Sequence, residues 1–152
     1  MKISGRSVIF AVAGAALAAG GLATPATADG AQLGASDTII VHHRGDGTQP
    51  PPELGDPEEW GEVTFTMDDS SAGSVTPKVI VEVGGGTWSY GWYLTTGGKY
   101  CYSNYYHHDV RHGSTVKIAG DTAKDIVGPN DYSNANLTRG AAFTCSTYYS
   151  KY

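Results

Sequence analysis

The sequence predicts an all-β protein, a small antiparallel β-sandwich of two sheets, preceded by a signal peptide and a partly disordered acidic segment. Three observations carry this. No segment sustains the 3.6-residue apolar period of an amphipathic helix. Short runs with period-two alternation recur from Glu62 onward, divided by Gly-, Asn- and Asp-rich turns. Two cysteines, Cys101 and Cys145, fall in a middle run and the last run, as expected of one disulfide tying two parts of a sandwich in an exported chain.

The elements follow in chain order. Lys2 and Arg6 precede the apolar run VIFAVAGAALAAGGL, which at about 15 residues is short of the roughly 20 a membrane-spanning helix needs. Ala26-Thr27-Ala28 completes a signal peptide over 1–28, with cleavage between Ala28 and Asp29 and export from the cell as the expected outcome. Residues 29–61 are rich in Gly, Pro and acids and read as a disordered segment, with TIIVHH as a short strand candidate inside it. Arg44-Gly45-Asp46 resembles an integrin-binding tripeptide, a match too short to carry weight. The sandwich domain is placed at 62–152. EVTFTM, with Val63, Phe65 and Met67 on one face, and KVIVEV, with Val79, Val81 and Val83 on one face, are its first strands. Between them MDDSSAGSVTP is a loop.

Gly84-Gly85-Gly86 breaks the chain before TWSYGWYL, whose Trp88, Tyr90 and Trp92 share one face. TTGG is a hairpin turn into KYCYSNYY, with Tyr100 and Tyr102 on the face opposite Cys101. STVKIAG is a further strand. DTAKDIVGPNDYSNAN is polar and turn-rich, with one helical turn expected at TAKDIV. RGAAFTCSTYYSKY closes the domain as an alternating strand through Ala141, Phe143 and Cys145.

Charge and aromatic content divide the chain. Residues 29–82 hold eleven acids and two bases, residues 83–152 four acids and six bases, and all ten tyrosines follow Gly86. An acidic balance argues against nucleic acid as a partner. The stretch YSNYYHHDVRHGS concentrates candidate chemistry. His107, His108 and His112, with Asp109 and His42 or His43, are a possible zinc set, but the His-Glu-x-x-His spacing on a helix is absent. No Gly-x-Ser-x-Gly elbow is present. The acids Glu58, Glu59, Glu62, Asp68 and Asp69 sit in the loop-rich part, where solubility explains them. The expectation is a non-enzyme without metal or cofactor. Thirteen aromatic residues in the last seventy exceed what one thin core buries, so several should meet a ligand.

GGTWSYGW (Gly85 to Trp92), followed by YSNYYHHDVRHGSTV (Tyr102 to Val116) and the Ala-x-Phe strand in LTRGAAFTCSTYYSKY, resembles the lactococcin 972 family of secreted bacteriocins, over roughly 84–152. The resemblance implies a two-sheet β-sandwich and a secreted toxin that binds the cell-wall precursor lipid II and blocks septum formation without making pores. It implies no catalysis, cofactor or transmembrane segment, and leaves a homodimer and the immunity partner open. The candidate ligand-binding residues are then Trp88, Tyr90, Trp92, Tyr102, Asn104, Tyr105, His107, His108, Arg111 and His112. Tyr106 is a further aromatic candidate, and Lys99, Arg111 or Lys117 would approach a pyrophosphate. The alternative is a secreted carbohydrate-binding or adhesion-type sandwich that does not kill. Residues 29–84 and the cysteine pair depart from the family's pattern. The acidic extension is either a removable mask or a source of added strands, and added strands are the expectation for 62–84.

Overall fold

The structure, a computed structural model, describes residues 38–66 and 78–152. The signal peptide, its cleavage point and the whole MDDSSAGSVTP loop, Met67 included, lie outside the described residues. Among the described residues nine strands form two antiparallel sheets: β1 (Ile40–His43), β2 (Glu59–Phe65), β3 (Val79–Val83), β4 (Gly86–Thr95), β5 (Gly98–His107), β6 (His112–Ile118), β7 (Asp121–Val127), β8 (Asp131–Arg139) and β9 (Cys145–Lys151). One sheet runs β1-β2-β9-β6-β7 and the other β3-β4-β5-β8.

Alternation decides the packing. In β5 every second residue is buried, so Cys101, Ser103, Tyr105 and His107 face inward. β4 sends Trp88, Tyr90 and Trp92 the same way. These meet Val63, Phe65, Val116, Ile118 and Tyr149 of the opposite sheet in one core. Cys101 of the four-stranded sheet and Cys145 of the five-stranded sheet are bonded through that core, with Cα atoms 6.4 Å apart. β3 and β4 are joined by Gly84 and Gly85, both at positive φ (62° and 80°), between the paired Val83 and Gly86. A two-residue turn of this kind follows the twist of a hairpin and is open to glycine without strain.

Three expectations are corrected. Residues 38–61 are not disordered: they hold β1, a 3₁₀ turn at Pro52–Leu54 and the start of β2, so the ordered domain reaches well before residue 62. Composition misleads here because a few apolar residues suffice: Leu54 packs with Trp60 and Tyr148 on the outer side of the five-stranded sheet, and Ile39 packs against the main core. TAKDIV is not helical but forms β7, paired along its length with β6, and YSNAN lies in β8. Pairing with buried neighbours outweighs local polarity there. Ala141 and Phe143 lie in the turn before β9, and Phe143 is exposed.

The segment 44–58 is a strap over that outer side. The Leu54 carbonyl accepts hydrogen bonds from Tyr152 Oη (2.7 Å) and Lys124 Nζ (2.9 Å), and Glu53 pairs with Lys117. That pairing, through a side-chain hydrogen bond from Lys117, lowers the Glu53 pKa. The Arg44-Gly45-Asp46 side chains are turned to the strap's own needs. Arg44 binds Asp56, and Asp46 accepts the backbone N–H groups of Thr48 and His43. Leu54→Asp should therefore release the strap while leaving the two sheets folded. Hydrogen exchange should show the Leu54 and Gly55 amides losing protection, with β4 and β5 unchanged; unchanged protection at Leu54 would refute this anchoring.

Candidate functional site

The outer face of the four-stranded sheet is the candidate site. Because Cys101 and its alternates point inward, Tyr100, Tyr102, Asn104 and Tyr106 of β5 point outward. The strand register places them between partners in four rows: Thr87, Tyr106 and Tyr132; Ser89, Asn104 and Asn134; Gly91, Tyr102 and Asn136; Tyr93, Tyr100 and Thr138. Tyr93 and Tyr100 rings lie 4.8 Å apart and Tyr100 and Tyr102 6.2 Å apart, while Tyr106 and Tyr132 pair at 4.9 Å. Gly91 lets the Tyr102 ring lie across the sheet: a Cβ there would stand 3.0 Å from the Tyr102 Oη. None of these twelve residues is charged. Glu82 lies beyond β4 on β3, where it accepts a hydrogen bond from Thr87 Oγ1.

The sequence-predicted residues divide between this face and the interior. Tyr102 and Asn104 are on the face, and His108 is exposed just past its end. Trp88, Tyr90, Trp92 and Tyr105 are buried between the sheets. Trp88 Nε1 donates to Ser103 Oγ, which donates to the Tyr148 carbonyl, so this indole is a core strut.

His107 and His112 are buried as well and pin the β5–β6 crossover. His107 Nδ1 accepts the N–H groups of Asp109 and Val110, which leaves Nε2 to donate to the Gly84 carbonyl. His112 has its two ring nitrogens 2.8 Å from the Val110 carbonyl and 3.0 Å from that of Asp131. Among the described residues no group of three or more His, Cys, Asp or Glu could hold a metal ion.

The three cations proposed for a pyrophosphate are not brought together. Lys99 is buried, its Nζ bonded to the Phe143 carbonyl and set over the Trp92 ring, and burial lowers its pKa. Lys117 is on the other sheet with Glu53, and Arg111 lies over the Tyr152 ring. The sequence reading missed Tyr93, Tyr100, Tyr132, Asn134 and Asn136 as site residues. Parity relative to Cys101 was the available signal on β5; on β8 none was visible until it was known to be a strand.

Buried tyrosines set an alkaline limit. Burial first, then the nearby Glu62 charge, raises Tyr148 from 10.0 to about 12. Burial also raises Tyr105 and Tyr149, each beside the Glu59 carboxylate. A tyrosine whose folded pKa exceeds its unfolded value adds stability below about pH 10, and this is lost as pH rises toward the folded value. Stability should therefore fall steeply between about pH 10 and 12, by on the order of 3 kcal/mol from Tyr148 alone. Denaturant melts at stepped pH, with tyrosinate absorbance as a second readout, would show it; a flat profile through pH 12 would contradict it.

The described chain is a disulfide-linked two-sheet sandwich whose outer β4, β5 and β8 rows are rich in tyrosine and carry no charge. Residues 84–149 match the model of a bacteriocin family, described as Bacteriocin (Lactococcin_972), which bears out the resemblance carried by GGTWSYGW and YSNYYHHDVRHGSTV. No curated protein and no solved structure matches the chain. The matched segment starts at the β3–β4 turn, so the strap, β1, β2 and β3 precede it. Among the described residues no helix is long and apolar enough to cross a membrane.

Proposed function

We propose that this protein is a secreted, bacteriocin-like antibacterial protein that binds the cell-wall precursor lipid II and blocks septum and wall synthesis in sensitive bacteria. The observation that carries the reading is the family match over 84–149, which includes β4, β5 and β8 and so the whole tyrosine–asparagine face. In this reading the protein acts by binding, not by catalysis. It sequesters a precursor that wall-building enzymes need, and its rigid sandwich presents the face without rearrangement. Export through the signal peptide delivers it to the oxidising side of the membrane, where Cys101 and Cys145 join.

The test is a zone-of-inhibition assay on growing Gram-positive bacteria with purified protein, with and without added lipid II. Growth inhibition relieved by lipid II supports the reading. No inhibition by folded protein across a broad panel counts against it. The uncharged tyrosine–asparagine face favours a second reading, a carbohydrate-binding module that does not kill, and that outcome would turn the assignment toward it.

A further inference from the structure

We propose that the outer face of the four-stranded sheet binds an uncharged, N-acetylated oligosaccharide, and that this is the part of the cell-wall precursor the protein grips. The inference rests on the lipid II reading for its biological ligand but on the face itself for its chemistry. The ligand source is the precursor's disaccharide; the same chemistry occurs in finished glycan strands, which the experiment separates.

Three properties of the face select this class. First, its twelve residues on β4, β5 and β8 are neutral, and the β3 edge beside them carries one base, Lys78, and one acid, Glu82, so the face offers no net counter-charge to a pyrophosphate or a nucleic acid. Arg111 lies over Tyr152 and Lys117 pairs with Glu53, while at the β3 edge the exposed Lys78 is balanced by Glu82. Second, its apolar area is ring area. Tyr93, Tyr100 and Tyr102 form one cluster, and Tyr106 with Tyr132 forms another. On β5 the two clusters are four residues apart, about 13 Å along the strand, which spans more than one pyranose ring. Tyrosine supplies rigid contact area at small entropic cost, and the C–H faces of sugars pack on such rings.

Third, the ground between the clusters is amide. Asn104 and Asn136 have no hydrogen-bond partner for their side chains among the described residues, and Asn134 spends only one amide N–H, on the Tyr132 carbonyl. A side-chain amide both donates and accepts, and so matches an acetamido group, which does the same. Burial, then the neighbouring tyrosines, raises Tyr100 and Tyr102, keeping both hydroxyls neutral donors at physiological pH.

The experiment uses the full exported chain and three probes: chitotetraose, cellotetraose and lipid II vesicles, read by calorimetry or by tyrosine and tryptophan fluorescence. Chitotetraose should bind and cellotetraose should bind at least tenfold more weakly. Tyr102→Ala and Asn104→Asp should each weaken chitotetraose and lipid II binding together, by tenfold or more. These side chains point to solvent, and a thermal melt within a few degrees of wild type confirms that the variants fold. Should Tyr102→Ala fail that check, Asn136→Asp replaces it.

Peptidoglycan sacculi, compared with vesicles, identify the source: capture by vesicles and not by sacculi supports the precursor, and capture by sacculi alone overturns it as the ligand. Lipid II binding with no response to chitotetraose, or binding untouched by the face variants, would overturn the glycan assignment while leaving the antibacterial reading intact. Absence of lipid II binding alongside firm chitotetraose binding would do the reverse to the two readings.

Discussion

Replacing both Cys101 and Cys145 by serine should cost about 4 kcal/mol of stability, the value expected for releasing a loop of 44 residues in the unfolded chain. Set against the 5–15 kcal/mol of a typical domain, this is a large share. The melting temperature should fall by on the order of 15 °C. Both residues are fully buried, and they connect sheets that otherwise meet through side chains and the crossovers β2–β3, β5–β6, β7–β8 and β8–β9. Wild type melted with reductant should shift by a similar amount, which separates cross-link loss from the cost of the new hydroxyls. A change under about 3 °C in both experiments would show that the unfolded chain is already held together between β5 and β9, and would remove the disulfide from the list of main stabilisers.

Trp88→Ala should cost about 3–5 kcal/mol, the range for removing a large aromatic from a packed core. The indole touches the rings of Tyr90 (4.1 Å) and Tyr149 (5.1 Å) and bonds Ser103 at the centre of the sandwich. Trp88→Phe should cost less, since its ring keeps part of the packing against Tyr90 and Tyr149. Urea melts give the comparison. The same variant also separates two roles. A core strut loses stability and, while still folded, leaves ligand affinity near wild type. A ligand-stacking tryptophan would do the opposite, and a cost below about 1 kcal/mol with lost affinity would place Trp88 at the ligand.

Much of the architecture was legible because alternation is a local signal. Trp88, Tyr90 and Trp92 at spacing two, and Cys101 between Tyr100 and Tyr102, define inside and outside before any partner is known. β7 and β8 were harder. Thr122, Lys124 and Asn134 carry no apolar message, and their strands exist because β6 and β5 offer paired edges. The strap was hidden for a related reason: Leu54 has no apolar neighbours in sequence, only Trp60 and Tyr148 in space.

The site was half legible. Richness in tyrosine and histidine pointed to a binding surface, but abundance does not say which side of the sheet a ring is on. Parity does, and it sends Trp88, Tyr105, His107 and His112 inward and Tyr100, Tyr102 and Tyr106 outward. A residue list drawn from density alone therefore mixes the scaffold with the surface it supports.

The position of β9 gives the fold a direction in time. It lies between β2 and β6, pairing Glu59 and His112 alike with Lys151, a partner 92 residues beyond Glu59. Until residues 145–151 arrive, β2 has only β1 beside it and β6 only β7, and Cys101 has no partner sulfur. Such distant pairings are slow to close. The final strand is thus placed as a latch that completes a sheet and a cross-link together. Chains ending before Cys145 should remain protease-sensitive under oxidising conditions; a resistant 84–144 core would show that the latch is dispensable.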